Sequence, residues 1–167
     1  MTSSGGRGAE PPVVDVTVTR VMDAPRAEVA DLAGDPSNAP RWYSNIRSVR
    51  WHGEPGVRLG AQVDFVARFL GRDLAYTYEI TDLAPAERLV MRTTSGPFPM
   101  ETTYLWWDEP DGPRGSRTGM SLRNAGSPRG FATLGSGAVA LAMRRAMTRD
   151  LERLSVLLQQ GPGTTPT

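Results

Sequence analysis

Arg129 to Gln160 reads RGFATLGSGAVALAMRRAMTRDLERLSVLLQQ. No proline falls between Pro128 and Pro162, so the spacing predicts one long helix over this stretch. It is far longer than the ~11–12 residue average helix. At 3.6 residues per turn, Val139, Met143, Ala146, Met147, Leu154, Leu157 and Leu158 share one face. Arg144, Arg145, Arg149, Glu152 and Arg153 fall on or toward the opposite one. Pro128 suits a first helical turn, Ser127 suits a cap, and Gly161 suits a terminator. An amphipathic helix of this length needs an apolar surface to lie on, and the chain upstream supplies it.

Working back toward the N-terminus, the pattern has period two. Met120 and Leu122 belong to one strand. Thr102, Tyr104 and Trp106 face opposite to Glu101, Thr103, Leu105 and Trp107 in another. Leu89, Met91 and Thr93 form a third, and Leu74, Tyr76, Tyr78 and Ile80 alternate with polar residues in a fourth. Val63, Phe65, Ala67 and Phe69 do the same before the hairpin signal Gly71-Arg-Asp. Ile46, Val49 and Trp51 precede a Glu54-Pro-Gly turn. Before them lie two short helical segments, one started by Asp23-Ala-Pro and one over Asn38 to Asn45. Val14, Val16 and Val18 make the first strand. Strands joined by short turns predict an antiparallel sheet with one apolar face, not a doubly wound parallel one. The class is α+β, with a single domain over 13–160, a disordered lead over 1–12 and a disordered tail over 161–167.

Composition removes several chemistries. The chain has 167 residues, no cysteine, one histidine, and a net charge of +1. All 19 basic residues are arginine. Thiolate chemistry, a Schiff-base lysine and a multi-histidine metal centre are therefore absent. The near-neutral, scattered charge does not call for nucleic acid. No apolar run approaches ~18 residues, so no membrane span is expected, and no signal-peptide core precedes the first strand. These features predict a soluble cytoplasmic protein.

The order of elements resembles a known family. Val18-Thr-Arg-Val-Met-Asp-Ala-Pro is similar to its first strand and Ala-Pro helix start. Asp35-Pro-Ser-Asn with Arg41-Trp-Tyr is similar to its second-helix segment. Tyr78-Glu-Ile-Thr, Ala84-Pro-Ala-Glu-Arg-Leu, Thr94-Ser-Gly-Pro-Phe-Pro and Arg149-Asp-Leu-Glu-Arg-Leu complete the likeness, over about Val14 to Gln160. The chain resembles the SRPBCC superfamily of START-like, helix-grip (Bet v 1-like) domains, and within it the polyketide cyclase/dehydrase-like group. The resemblance implies a seven-stranded curved sheet wrapped around the C-terminal helix, with two short helices between strands 1 and 2. It also implies a cavity between sheet and helix for a lipid-, polyketide- or aromatic-like molecule.

The inward rows place Phe65, Phe69, Tyr76, Tyr78, Met91, Tyr104, Trp106 and Met120 toward Met143 and Met147. Aromatic walls with adaptable methionines suit a greasy ligand, although an ordinary packed core has the same composition. Trp42 and Tyr43 read either as the rim of such a cavity or as a staple holding their segment to the sheet. Asp150 falls near the centre of the apolar stripe, where a carboxylate must be paired, solvated or protonated. No catalytic residue is assigned, and Asp150 is the one candidate, as polar anchor, acid or structural pair. His52, next to Trp51, reads as an outward histidine without a partner. Gly135-Ser-Gly-Ala-Val-Ala140 matches a dinucleotide fingerprint in letters but follows no strand of a parallel unit. Gly130, Gly135 and Gly137 weaken the early helix and make it a possible gate.

The leading reading is a binder of a hydrophobic small molecule, with no cofactor and no metal. A polyketide aromatase/cyclase is the alternative, working mostly by templating. Binding of a macromolecular partner through the arginine face of the last helix is a third reading. The sequence leaves monomer and homodimer equally open.

Overall fold

The computed structural model describes residues 14–127 and 135–161. The chain runs β1 (Val14–Met22), α1 (Arg26–Gly34), a 3-10 turn (Pro36–Asn38), α2 (Ala39–Trp42), β2 (Ile46–Trp51), β3 (Gln62–Phe69) and β4 (Arg72–Ala84). Then follow β5 (Arg88–Ser95), β6 (Met100–Gly112), β7 (Gly115–Gly126) and α3 (Ser136–Gln160). The seven strands form one antiparallel sheet in the order β1-β7-β6-β5-β4-β3-β2. From β2 to β7 each strand pairs with the next, because short turns leave room only for a hairpin return. β1 closes on β7 instead, since α1 and α2 carry the chain to the far edge before β2 begins. This is the helix-grip architecture.

Curvature comes from the strands themselves. The register shifts in β2, at two places along the β4–β5 pair, and in β6. Such irregularities bend a strand and raise its twist, so the long β4 and β6 coil the sheet around a concave face. Val16, Val63, Ile80, Leu89, Met120 and Leu122 on that face are fully buried. The helix contributes Val139, Met143, Met147, Leu151, Leu154 and Leu158. Leu151 joins the stripe that spacing predicted, whereas Ala146 and Leu157 are only partly buried. Arg144 donates to the carbonyl of Thr17 at 2.9 Å, fastening the helix to β1.

Two expectations about the helix start are corrected. Gly135 has φ 75° and ψ 148°, which is not helical, so α3 opens at Ser136 and not near Arg129. Ser127 does not cap it; its amide donates to the carbonyl of Pro99. Freedom from proline permitted a longer helix, but a glycine with positive φ ends one as effectively. At the other end Gly161, with φ 71°, stops the helix as its composition suggested. The expectations for Pro128, Arg129 and Gly130, for the lead over 1–12 and for the tail beyond Gly161 lie outside the described residues.

The convex face is laced with ion pairs. Arg123 on β7 reaches Asp15 on β1 at 2.6 Å and Glu101 on β6 at 3.2 Å, and Glu101 is shared with Arg92 on β5. His52 is not without a partner: its Nε2 lies 2.7 Å from Oδ1 of Asp64. The sheet brings β3 beside β2, a pairing that spacing along the chain does not show. Asp64 also accepts from Arg50 at 2.6 Å and from Thr77 at 2.8 Å. These partners, Arg50 foremost, lower its carboxyl from 3.8 to about 2. A carboxyl lowered on folding stabilises the fold above its unfolded pKa, and that contribution fades as pH falls through the folded value. The melting-temperature advantage of the native chain over Asp64→Asn is therefore expected to be full near neutral pH. It should close as the pH is taken from about 4 to about 2. A difference that persists unchanged at the acid end would show that the cluster is not its source.

Candidate functional site

One end of the concave face is covered by α1, and the other is not. β6 and β7 pass beneath α1, so residues on that stretch are sealed. Trp106 illustrates this: a Cβ added to Gly34 of α1 would lie 3.2 Å from its Cη2. Toward the other end the sheet and α3 diverge, and a cavity of about 130 Å³ remains between them. β3 supplies Phe65, Ala67 and Phe69 to its wall, and β4 supplies Leu74, Tyr76 and Tyr78. Met91 comes from β5, Met100, Thr102 and Tyr104 from β6, and Asn124 from β7. The helix contributes Met143, Ala146, Met147 and Asp150, successive turns of one face. Tyr43, Asn45 and Ile46 close the side between α2 and β2, and Phe98 sits in the rigid corner before β6.

The aromatic walls are held by edge contacts. Phe65 and Tyr78 meet at 5.7 Å and 87°, and Tyr76 and Phe98 at 5.6 Å and 76°. These T-shaped arrangements are a favoured contact of aromatic rings and help hold the wall in place.

Two polar groupings interrupt the apolar lining. In the first, the hydroxyls of Tyr43 and Tyr104 lie 2.6 Å apart. Beside them Asp150, 2 % exposed, accepts the amide of Ser44 through Oδ1 at 2.7 Å. In the second, Thr102 Oγ1 donates to Asn124 Oδ1 at 2.7 Å and is bonded to the Tyr78 phenol. Burial disfavours charge on all of them. It raises Asp150 above the usual carboxylate value, against the opposing bonds from Ser44. It pushes Tyr78 up to about 12 and raises Tyr43, Tyr76 and Tyr104 further. At neutral pH the phenols are donors and acceptors without charge.

Of the residues singled out from sequence, Phe65, Phe69, Tyr76, Tyr78, Met91, Tyr104, Met143, Met147 and Asp150 line this cavity. Trp42, Trp106 and Met120 do not. Trp42 is wholly buried and stacks on Tyr43 at 3.9 Å, so the tyrosine, not the tryptophan, reaches the cavity. Met120 pairs with Trp106 across β6 and β7 under the α1 end. Trp106 borders a separate groove between α1 and the β4–β5 turn. Alternation told which face these side chains take, but not how far along it the short helices reach. Leu74, Thr102 and Ala146 sat on the correct faces by alternation or helical phase, and Phe98 in a recognised corner. Asn124, two residues beyond Leu122, shares its face by the same alternation, and only for Asn45 does the sequence carry no such signal.

The model of a family described as polyketide cyclase/dehydrase and lipid transport matches residues 13–159. The chain belongs to this family. No curated protein sequence matches it. Among solved structures, the family member is similar to the Zhui aromatase/cyclase of Streptomyces sp. R1128, at 16% identity and a TM-score of 0.70, covering 87% of this chain and 93% of that one. It is similar to TTHA0849 of Thermus thermophilus, at 21% identity and a TM-score of 0.68, covering 89% and 99%. A START superfamily protein of Mycobacterium smegmatis follows at 14% identity and a TM-score of 0.64, covering 87% and 97%. At these identities the likeness shows the fold. No helix of the described residues is long and apolar enough to cross a membrane.

Proposed function

We propose that this polyketide cyclase-like domain binds a hydrophobic small molecule in the cavity between sheet and helix. The supporting observation is the cavity itself, apolar over most of its wall and fitted with a few converging neutral hydroxyls. That is the usual composition of a small-molecule site. An engineered apolar cavity of roughly 150 Å³ accepts benzene, so a space of about 130 Å³ is close to the size of one ring. Met143 and Met147, unbranched and adaptable, widen the space at low cost for a second ring. Phe65, Phe69, Tyr76, Tyr78, Met91 and Tyr104 are the contact residues of this reading.

The test is titration of the protein with 2-naphthol, followed by ligand fluorescence and calorimetry. Binding in the micromolar range is expected, and Ala146→Trp, which fills the cavity from the helix side, should abolish it while the protein stays folded. Equal binding to both proteins would place the ligand elsewhere, and no binding to either would remove the reading.

An aromatase/cyclase is the second reading, favoured by one observation. Asp150, with its raised carboxyl, stands beside two phenols at the cavity wall, a set able to orient an enolate and pass a proton. Turnover of a poly-β-ketone mimic above background, lost in folded Asp150→Asn, would establish it in place of simple binding.

A further inference from the structure

The charges available to a ligand are unusually one-sided, and this narrows the class that the proposed cavity accepts. The chain has 19 arginines and one histidine, yet among the described residues none of them lines the cavity. The ionisable groups at its wall are Tyr43, Tyr76, Tyr78, Tyr104 and Asp150. Each is either neutral or negative, never positive. The cations that act on Asp150, Arg149 and Arg153, are exposed to solvent, Arg153 donating to the carbonyl of Arg41, and burial still outweighs them in raising its carboxyl. An anion entering this space sheds its water, finds no counter-ion and meets a buried carboxyl.

The same wall offers a neutral oxygen something specific. Two phenol hydroxyls carry two protons, and the Tyr43–Tyr104 contact uses one of them. The other belongs to a residue that lines the cavity and has no acceptor bonded to it among the described residues. A ligand carbonyl or hydroxyl completes that bond, while an apolar ring occupies the space between Phe65, Tyr76 and Met91.

We propose that the ligand is an uncharged ring compound bearing a carbonyl or hydroxyl oxygen, and that Asp150 is a specificity-determining residue that excludes carboxylates, sulfonates and phosphates. The proposal rests on the binding reading above. It separates this cavity from one built for a free fatty acid or a phosphorylated lipid head, which needs a cation at the wall.

Two probes with one ring system test it: neutral 2-naphthol and the permanent anion naphthalene-2-sulfonate. Against the native protein near pH 7.5, the sulfonate is expected to bind about 100-fold or more weakly, the scale of one uncompensated charge contact. In Asp150→Asn, which keeps an oxygen for the Ser44 amide, the gap should shrink to less than about tenfold. Sulfonate binding as tight as naphthol, or a gap unchanged in the folded variant, overturns the proposal. Failure of naphthol itself to bind the native protein instead sinks the binding reading, and this one with it.

If Asp150→Asn does not fold, the native protein answers through pH. The groups facing Asp150 are Ser44, Tyr43 and Tyr104 across the cavity, with Arg149 and Arg153 on its own helix. The serine does not ionise, and burial keeps the two phenols uncharged between about pH 4 and 8. Sulfonate affinity should therefore rise as the pH falls and Asp150 gains its proton, while naphthol affinity stays level. A flat sulfonate profile rejects the role given to Asp150.

Discussion

Met147→Asp is expected to unfold the protein or bring it close to unfolding. Met147 is 2 % exposed on the inner stripe of α3. Its neighbour one turn on, Asp150, already carries the only buried carboxyl of that helix. A second carboxylate at 147 has no cation within the cavity and faces the first across one turn, so neither ionised nor protonated form is well solvated. Losses of this kind run to several kcal/mol, against a total stability of about 5–15 kcal/mol. Leu105→Asp is the control. Leu105 stands on the convex face at 39 % exposure, where a carboxylate keeps its water and the cost stays near ±0.5 kcal/mol. Thermal melts of both variants decide the matter. Equal melting temperatures would mean that the helix does not present this face to the sheet.

Trp42→Ala carries the second large effect, about 3–5 kcal/mol. The indole is wholly buried, stacked on Tyr43 at 3.9 Å and edge-on to Tyr104 at 6.1 Å. Truncation leaves a void that the short α2 segment cannot fill without moving. At roughly 3 °C per kcal/mol for a domain of this size, the melting temperature should drop by about 10–15 °C. The consequence reaches the cavity, because Tyr43 loses the ring that holds its hydroxyl against Tyr104. Affinity for 2-naphthol should fall even where the variant remains folded. A variant that melts near the native temperature would show that the segment is not stapled through this residue.

Much of the molecule is legible before folding. Val14, Val16 and Val18, or Tyr76, Tyr78 and Ile80, declare a half-buried strand because side chains alternate across a sheet. Val139, Met143, Met147 and Leu154 declare a helix face for the same geometric reason at a different period. Asp150 is legible too, since helical phase alone puts it among apolar neighbours. Its partner is not. The main-chain amide of Ser44 stands 106 residues away, and no local pattern points to it.

The sequence by itself determined the class of each element, the inner and outer faces of each strand, and the exclusion of thiol, lysine and multi-histidine chemistry. Tertiary structure alone decided where along the inner face the cavity lies. It put Trp106 and Met120 under the α1 end, Trp42 behind Tyr43, and Tyr43, Phe98 and Asn124 at the cavity. It also set α3 to begin at Ser136 and gave His52 its Asp64. The physical reason is one of range. Periodicity and propensity act over a few residues and fix the direction of a side chain. The space in front of that side chain depends on how far a separate helix extends over the sheet, which follows from packing between segments distant in the chain.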